Sequence, residues 1–121
     1  MNDDNLNIPC ELMEKTGFAY TLSLISGKYK MIILYALAGS GAILRFNELK
    51  RHIDTISYRT LSLTLKELEN DCLVIRNEYP QIPPKVEYSL SERGKSLIPV
   101  LDMMCEWGND HRGDEASNKQ S

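Results

Sequence analysis

The chain has 121 residues, of which 42% are hydrophobic and 26% charged, and its formal net charge at pH 7 is -3. That length accommodates one compact domain with short tails and excludes a two-domain enzyme. The composition is close to that of soluble globular domains, so a packed core is expected and disorder over the whole chain is excluded.

Hydropathy and cysteine usage predict a cytoplasmic protein with no membrane contact. The longest apolar run, residues 31–38, is far shorter than the roughly 20 residues that cross a bilayer, and no signal sequence opens the chain. Cys10, Cys72 and Cys105 are odd in number and lack metal-ligand spacing, which predicts reduced thiols without a bound metal or cofactor. Polar composition predicts a flexible segment over 1–9, a folded domain over 10–112 and a disordered polar tail over 113–121.

Helical periodicity predicts two helices in the first third of the chain. The first covers about 10–25, with Phe18, Leu22 and Ile25 at helical spacing and Gly17 as a candidate interruption. The second, over 28–38, is apolar on nearly every side, which is typical of a helix in the centre of a core. A short extended stretch over 42–45 follows.

Two short helices and a tight turn come next. Asn47 is predicted to cap a helix that reaches about residue 53, and Ser57 a helix over about 57–71. Leu61, Leu65 and Leu68 recur at i, i+4 and i+7, so they form the buried stripe of the second helix. Because residues 54–56 leave only a three-residue turn between them, the pair matches the helix-turn-helix pattern.

The period then changes from helical to two. Val86, Tyr88 and Leu90 alternate with polar residues, which predicts a half-buried strand with 73–79 as its antiparallel partner. Prolines in 80–84 indicate a stiff hairpin tip. A hairpin over about 73–90, directly after the second helix, is the wing. The predicted fold class is therefore mainly α with a small β-hairpin (α+β), a winged helix-turn-helix.

A last helix is predicted over about 91–107, capped by Ser91. Its apolar residues, from Leu97 to Trp107, occupy too much of the helix circumference for one core-facing stripe. A second buried face implies a partner.

Short motifs over residues 16–107 carry a family resemblance. They are Gly27-Lys28, the run 45–49, Ile56-Ser57 with Arg59 and Leu61, the run 65–69, Tyr79-Pro80, Pro83-Pro84, the strand 86–90, Gly94 and Glu106-Trp107. In this order and spacing they resemble the HxlR-type family of bacterial winged-helix regulators. The resemblance implies a regulator that binds a pseudo-palindromic operator in double-stranded DNA as a homodimer built from its first and last helices. The sequence holds no Gly-rich phosphate loop, paired-histidine metal motif or Ser/His/Asp arrangement, which predicts that the chain is not an enzyme. The predicted dimer interface is Phe18, Leu22, Leu97, Leu101, Met104 and Trp107.

Three positions depart from the family pattern. Tyr29 stands where the family usually has Trp. Cys72 stands where the family has Gly after the recognition helix, which is the predicted helix over about 57–71. That helix therefore either ends without its usual left-handed residue or places Cys there at a steric cost. The early reactive cysteine of many members corresponds to Thr16, six residues after Cys10, so the alignment does not carry a redox role onto Cys10.

The exposed face of the second helix is predicted to contact DNA. Arg59 can donate a bidentate pair to guanine and Leu63 can pack on a thymine methyl, although a solvated arginine and a stray surface leucine are the alternatives. Phosphates suit the lysines and hydroxyls nearby, and the wing residues suit the adjacent minor groove or backbone. The full predicted set is Asn47, Lys50, Arg51, Ser57, Tyr58, Arg59, Thr60, Ser62, Leu63, Lys66, Gln81 and Lys85.

Other functions stay open at this point. The net charge does not itself suggest DNA, but residues 45–95 hold nine Lys and Arg against eight Asp and Glu, so the acid lies mainly in the ends. Thiol sensing by Cys10, Cys72 or Cys105 is one hypothesis, and a small buried hydrophobe is the alternative for Cys72 and Cys105. An unknown small-molecule effector between the dimer helices is another. A winged-helix protein-interaction module without specific DNA binding is the alternative from a different class.

Overall fold

The structure is a computed structural model that describes residues 16–39 and 43–120, with side chains described to residue 113. The segment 1–9, the first part of the helix expected over 10–25, and Cys10 lie outside the described residues. In chain order the elements are α1 (Gly17–Ile25), α2 (Lys30–Gly39), β1 (Leu44–Arg45), α3 (Phe46–His52), α4 (Tyr58–Asn70), β2 (Val74–Tyr79), β3 (Lys85–Leu90) and α5 (Glu92–Gln120). The three strands form an antiparallel sheet in the order β1-β3-β2. This confirms the predicted winged helix-turn-helix.

Helix α2 passes through the core but is not enclosed on every side. Ile33, Leu34 and Leu37 are fully buried, as the apolar run predicts. Ile32 and Tyr35, on the same helix, are 43% and 38% exposed. The apolar residues of α2 therefore form two surfaces, one in the core and a second that the described part of the chain leaves exposed.

The two short helices begin by different capping contacts. The hydroxyl of Ser57 accepts a hydrogen bond from the backbone N–H of Thr60 at 3.0 Å, which confirms Ser57 as the N-cap of α4. Asn47 is not the N-cap of α3, because α3 begins at Phe46 and the Glu48 carboxylate accepts the backbone N–H of Arg45 at 2.7 Å. A glutamate that reaches back one turn satisfies this amide, so the helix starts earlier than expected.

The carboxyl end of α4 is closed by backbone hydrogen bonds around Cys72. The N–H of Cys72 donates to the carbonyl of Glu69 at 3.0 Å and the N–H of Leu73 to that of Leu68 at 2.9 Å, which is a Schellman motif. Cys72 occupies its left-handed position, with φ at 63°. Of the two outcomes that the sequence left open, the strained one is found.

Replacing Cys72 with Gly is expected to stabilise the fold by about 1 kcal/mol, because a Cβ is unfavourable in the left-handed region. Urea unfolding of the wild type and variant measures this difference. Cys72→Ala is the matched control, since it removes the thiol and keeps the Cβ, and its stability is expected to stay near that of the wild type. Equal stabilities for the Gly and Ala variants would contradict the assignment of strain to the backbone.

The wing hairpin and the start of the last helix form as the sequence predicts. Pairing runs from Val74 opposite Leu90 to Tyr79 opposite Lys85, and Tyr88 and Leu90 are buried, which confirms the predicted alternation. Ser91 caps α5 by accepting the N–H of Gly94 at 2.9 Å.

Helix α5 is longer than the sequence pattern suggests. Its described backbone is helical to Gln120 rather than to about residue 107, and so crosses most of the stretch expected to be a disordered tail. Beyond Trp107, ring stacking with His111 at 4.3 Å and a 2.9 Å contact from His111 Nδ1 to the Trp107 carbonyl support another turn. Polar composition alone does not end a helix, and no proline follows Pro99 to break it after Trp107.

Candidate nucleic-acid interface

Helix α4 presents a polar and partly apolar face to solvent. Leu61, Leu65 and Leu68 are buried, and the side chains between them project the other way. Leu63 is 54% exposed. The exposed residues of this face are Arg59, Ser62, Leu63, Lys66 and Asn70. The residues predicted to read bases therefore lie together on the surface.

Tyr58 joins the two helices of the motif. Its ring stacks on that of Phe46 with centroids 6.1 Å apart, and Lys50 Nζ lies 5.0 Å from the Tyr58 ring centroid. Tyr58 remains 62% exposed. This aromatic and cationic contact holds Lys50 beside the start of α4 and so brings two predicted site residues together.

Ser57 and Thr60 hydrogen-bond to each other at the start of α4. Besides capping α4, the Ser57 hydroxyl donates to the Thr60 hydroxyl at 2.9 Å, and Thr60 is half-buried. A phosphate contact by either hydroxyl must therefore coexist with the helix cap.

A groove of about 470 Å³ runs between the start of α3 and the wing. Its polar lining residues are Arg45, Asn47, Glu48, Arg51 and Lys85. Arg45, the basic residue directly before the first turn of α3, joins the predicted contacts Asn47, Arg51 and Lys85 in this groove. Lys85 also has partners within the wing, because its ammonium lies 3.3 Å from the Glu87 carboxylate and 5.3 Å from the Tyr79 ring centroid.

The wing tip carries one polar and one apolar candidate. Gln81 is exposed, and its N–H donates to the Tyr79 carbonyl at 2.9 Å. Ile82 is fully exposed, at 101% of its reference surface. An isoleucine among prolines was the signal that sequence reasoning missed.

Exposed apolar residues are concentrated on α1, α2 and α5. Phe18 and Trp107 are 67% and 66% exposed, and Leu22 and Met104 also face solvent. Leu101 is 5% exposed in the chain itself, so it belongs to the core and not to a partner interface, and Leu97 packs against that core. Because α5 is apolar on nearly every side, the sequence does not show which of its residues face the core. Exposed residues missing from the sequence-based interface are Ile32, Tyr35, Val100 and Met103.

A second groove, of about 290 Å³, lies between α2 and α5. Its lining is mostly apolar and consists of Met31, Ile32, Tyr35, Leu101, Met104 and Cys105. The Tyr35 hydroxyl donates to the Asp102 carboxylate, and this hydrogen bond raises the pKa of Tyr35 to about 12. The tyrosine is therefore a neutral hydrogen-bond donor at any physiological pH.

The cysteines differ from the simpler expectation. Cys72 and Cys105 are both exposed, free thiols, so their interpretation as small buried hydrophobes is wrong. Their sequence neighbours did not reveal this, because Cys72 lies on a helix cap and Cys105 on a face that the described residues leave exposed. Within 16–39 and 43–120, no three His, Cys, Asp or Glu side chains are grouped closely enough to hold a metal ion.

A winged-helix fold in which the second helix of the helix-turn-helix, here α4, exposes arginine, lysine and leucine beside a basic groove is typical of DNA-binding transcription regulators. Residues 24–116 match the family described as HxlR-like helix-turn-helix, and the chain belongs to this family. Among the helices that the structure describes, none combines the length and the apolar character needed to cross a membrane.

Similar proteins are regulators as well. The chain is 60% identical over 96 residues to an HTH-type transcriptional regulator of Halalkalibacterium halodurans, a match that spans 79% of this chain and 84% of that protein. It is similar to the redox regulator HypR in its reduced form, with a TM-score of 0.79 and 43% identity over 84% of this chain and 99% of that one. For the oxidised form of HypR the TM-score is 0.73, with 44% identity over 79% of this chain and 97% of that one.

Proposed function

We propose that this transcription regulator binds a pseudo-palindromic operator in double-stranded DNA as a homodimer, with α4 in the major groove and the wing alongside. The observation that carries the proposal is the shared exposure of Arg59, Leu63 and Lys66 on a helix whose other face is core. A B-DNA major groove about 12 Å wide admits one helix, and arginine and leucine suit guanine and the thymine methyl. Two such helices in a symmetric dimer meet half-sites about 34 to 36 Å apart.

Phosphate contacts come from the surface beside α4. Lys50 is held near the start of α4 by Tyr58, and Arg45 and Arg51 line the groove between α3 and the wing. Such contacts fix the register of the protein on the duplex. At the wing tip Ile82 offers an apolar side chain to the adjacent minor groove, where inserted apolar residues are a common mode of binding.

Selection of bound sequences from a random pool of DNA duplexes tests the proposal, because it reports binding and half-site spacing together. Enrichment of a two-fold symmetric sequence, bound at physiological salt far above background, is the expected result. A pool that stays random, with no duplex binding at that salt, would contradict it. That outcome would favour a winged-helix module that docks on proteins.

We propose that a second copy of the chain covers the exposed apolar residues of α1, α2 and α5. Monomers rarely expose large apolar patches, and an isologous interface buries the same residues on both copies. Phe18, Met103 and Trp107 are each about two-thirds exposed or more. Aromatic residues of this kind are the usual energetic centres of protein interfaces.

Trp107→Ala is expected to raise the dimer dissociation constant about 30-fold, because truncating a central interface tryptophan costs about 2 kcal/mol. Sedimentation equilibrium over a concentration series measures the change. Ile82→Ala is the matched control, since it removes an apolar side chain from the wing that is even more exposed than Trp107, and it should leave dimerisation unchanged. A monomeric wild type, or equal constants for both variants, would contradict the proposed interface.

Thiol-responsive control is proposed on the exposure of Cys72, on the place of Cys105 in the face that we assign to the second copy, and on the similarity to HypR, known in reduced and oxidised forms. Mild peroxide treatment is expected to modify at least one thiol and to weaken operator binding at least threefold, with recovery on reduction. Mass spectrometry and binding titration of the same samples measure the two effects. Three unmodified thiols, including Cys10, would end this hypothesis.

A further inference from the structure

The start of α5 is fastened to the end of α4. The N–H of Ser91 donates to the Leu73 carbonyl at 3.1 Å, and its hydroxyl donates to the Cys72 carbonyl at 2.6 Å. Arg93 Nε donates to the Asp71 carbonyl at 3.1 Å. Three consecutive carbonyls after α4 are thus bound by Ser91, the N-cap of α5, and by Arg93 in its first turn.

Arg93 extends this junction to α1. Its guanidinium donates to the hydroxyl of Tyr20 in α1, and Cζ lies 5.8 Å from the centroid of that ring. Tyr20 is 51% exposed, so its hydroxyl does not help to fill the core. One planar side chain with donors in a fixed fork therefore connects α1, the end of α4 and the start of α5.

We propose that Arg93 and Tyr20 are a positioning pair that sets the orientation of α4 relative to the terminal helices, and through it the half-site spacing that the dimer prefers. The inference rests on the proposed function, in which α1 and α5 meet the second copy and α4 meets DNA. In a two-fold dimer the angle between each recognition helix and the dimer helices determines the distance between the two recognition helices. A fixed angle makes the protein discriminate between spacings, and a loosened angle lets it tolerate more of them.

The test compares operator duplexes whose half-sites are moved apart or together by one base pair. Tyr20→Phe keeps the ring and removes the hydroxyl, and Arg93→Lys keeps the charge and removes the fork. Each is expected to reduce the discrimination between correct and altered spacing at least threefold, while binding to an isolated half-site stays within twofold. Because the Tyr20 hydroxyl acts through Arg93, the double variant should match Arg93→Lys.

Lys95→Ala is the matched control. Lys95 lies in the same first turn and pairs with Glu92 at 3.3 Å, without a described contact to α1. Its spacing discrimination is expected to equal that of the wild type. Unchanged discrimination in Tyr20→Phe and Arg93→Lys, or additive effects in the double variant, would overturn the proposal.

Amide hydrogen exchange in the DNA-free protein separates this inference from the proposed function. If the wild type selects no operator, the proposed function fails, and the junction can still be tested by exchange at the amides of Cys72 and Leu73. Tyr20→Phe is expected to speed their exchange at least threefold relative to Lys95→Ala. Equal rates would overturn the proposal whatever the operator result.

Discussion

Gly94→Ala is expected to destabilise the domain by about 3 kcal/mol, near the upper end for an overpacked site. A Cβ at this position would lie 2.2 Å from the carbonyl oxygen of Leu73 and 3.3 Å from Leu90 Cδ2. The Leu73 oxygen is a backbone atom held by the Ser91 N–H, so it cannot move aside as a flexible side chain would. Urea unfolding at equal protein concentration measures the loss.

Gly108→Ala is the control for this prediction. Gly108 lies in the same helix, and among the described residues no atom outside its own stretch of helix comes within 4 Å of an added Cβ there. Alanine has the better helix propensity, so this variant is expected to be more stable than the wild type by up to about 1 kcal/mol. Unfolding midpoints that move in the same direction for both variants would show that the close approach to Leu73 is not what makes Gly94 necessary.

Periodicity predicted the helices and strands that are specified by residues close together in the sequence. The Leu61, Leu65 and Leu68 stripe identified α4, and Ser57 identified its first turn, because a cap and a buried stripe depend on residues within a few positions of one another. The alternation at Tyr88 and Leu90 identified β3 for the same reason. The wing and the exposed face of α4 could therefore be predicted from the sequence alone.

Contacts between distant parts of the chain could not be derived in that way. Leu101 and Met104 are three positions apart on an apolar helix, yet one is buried in the chain and the other is exposed, and only the packing of α5 on α2 decides which. Arg93 and Tyr20 are separated by 73 positions, and no local pattern marks either. The groove that brings Arg45 and Lys85 together likewise depends on how α3 packs beside the wing.

Arg59→Ala is expected to weaken binding to the selected operator by about 5-fold to 150-fold, equivalent to about 1 to 3 kcal/mol for a lost bidentate pair with a base. Arg59 is the second residue of α4 and is exposed, and the buried stripe of the helix lies on its other face. Residues at this end of a recognition helix contact base edges. Fluorescence anisotropy titrations on the operator and on a scrambled duplex measure the affinity and the preference.

Lys66→Ala separates base reading from charge, because both variants remove one positive charge from the same exposed face. A phosphate contact by Lys66 predicts a similar loss on both duplexes and a salt dependence that is shallower by about one counterion. For Arg59→Ala the loss should fall mainly on the operator, so that the ratio of the two affinities approaches one. If the two variants weakened both duplexes equally, Arg59 would bind the backbone, and sequence reading would have to come from Leu63 and its neighbours or from the shape of the DNA.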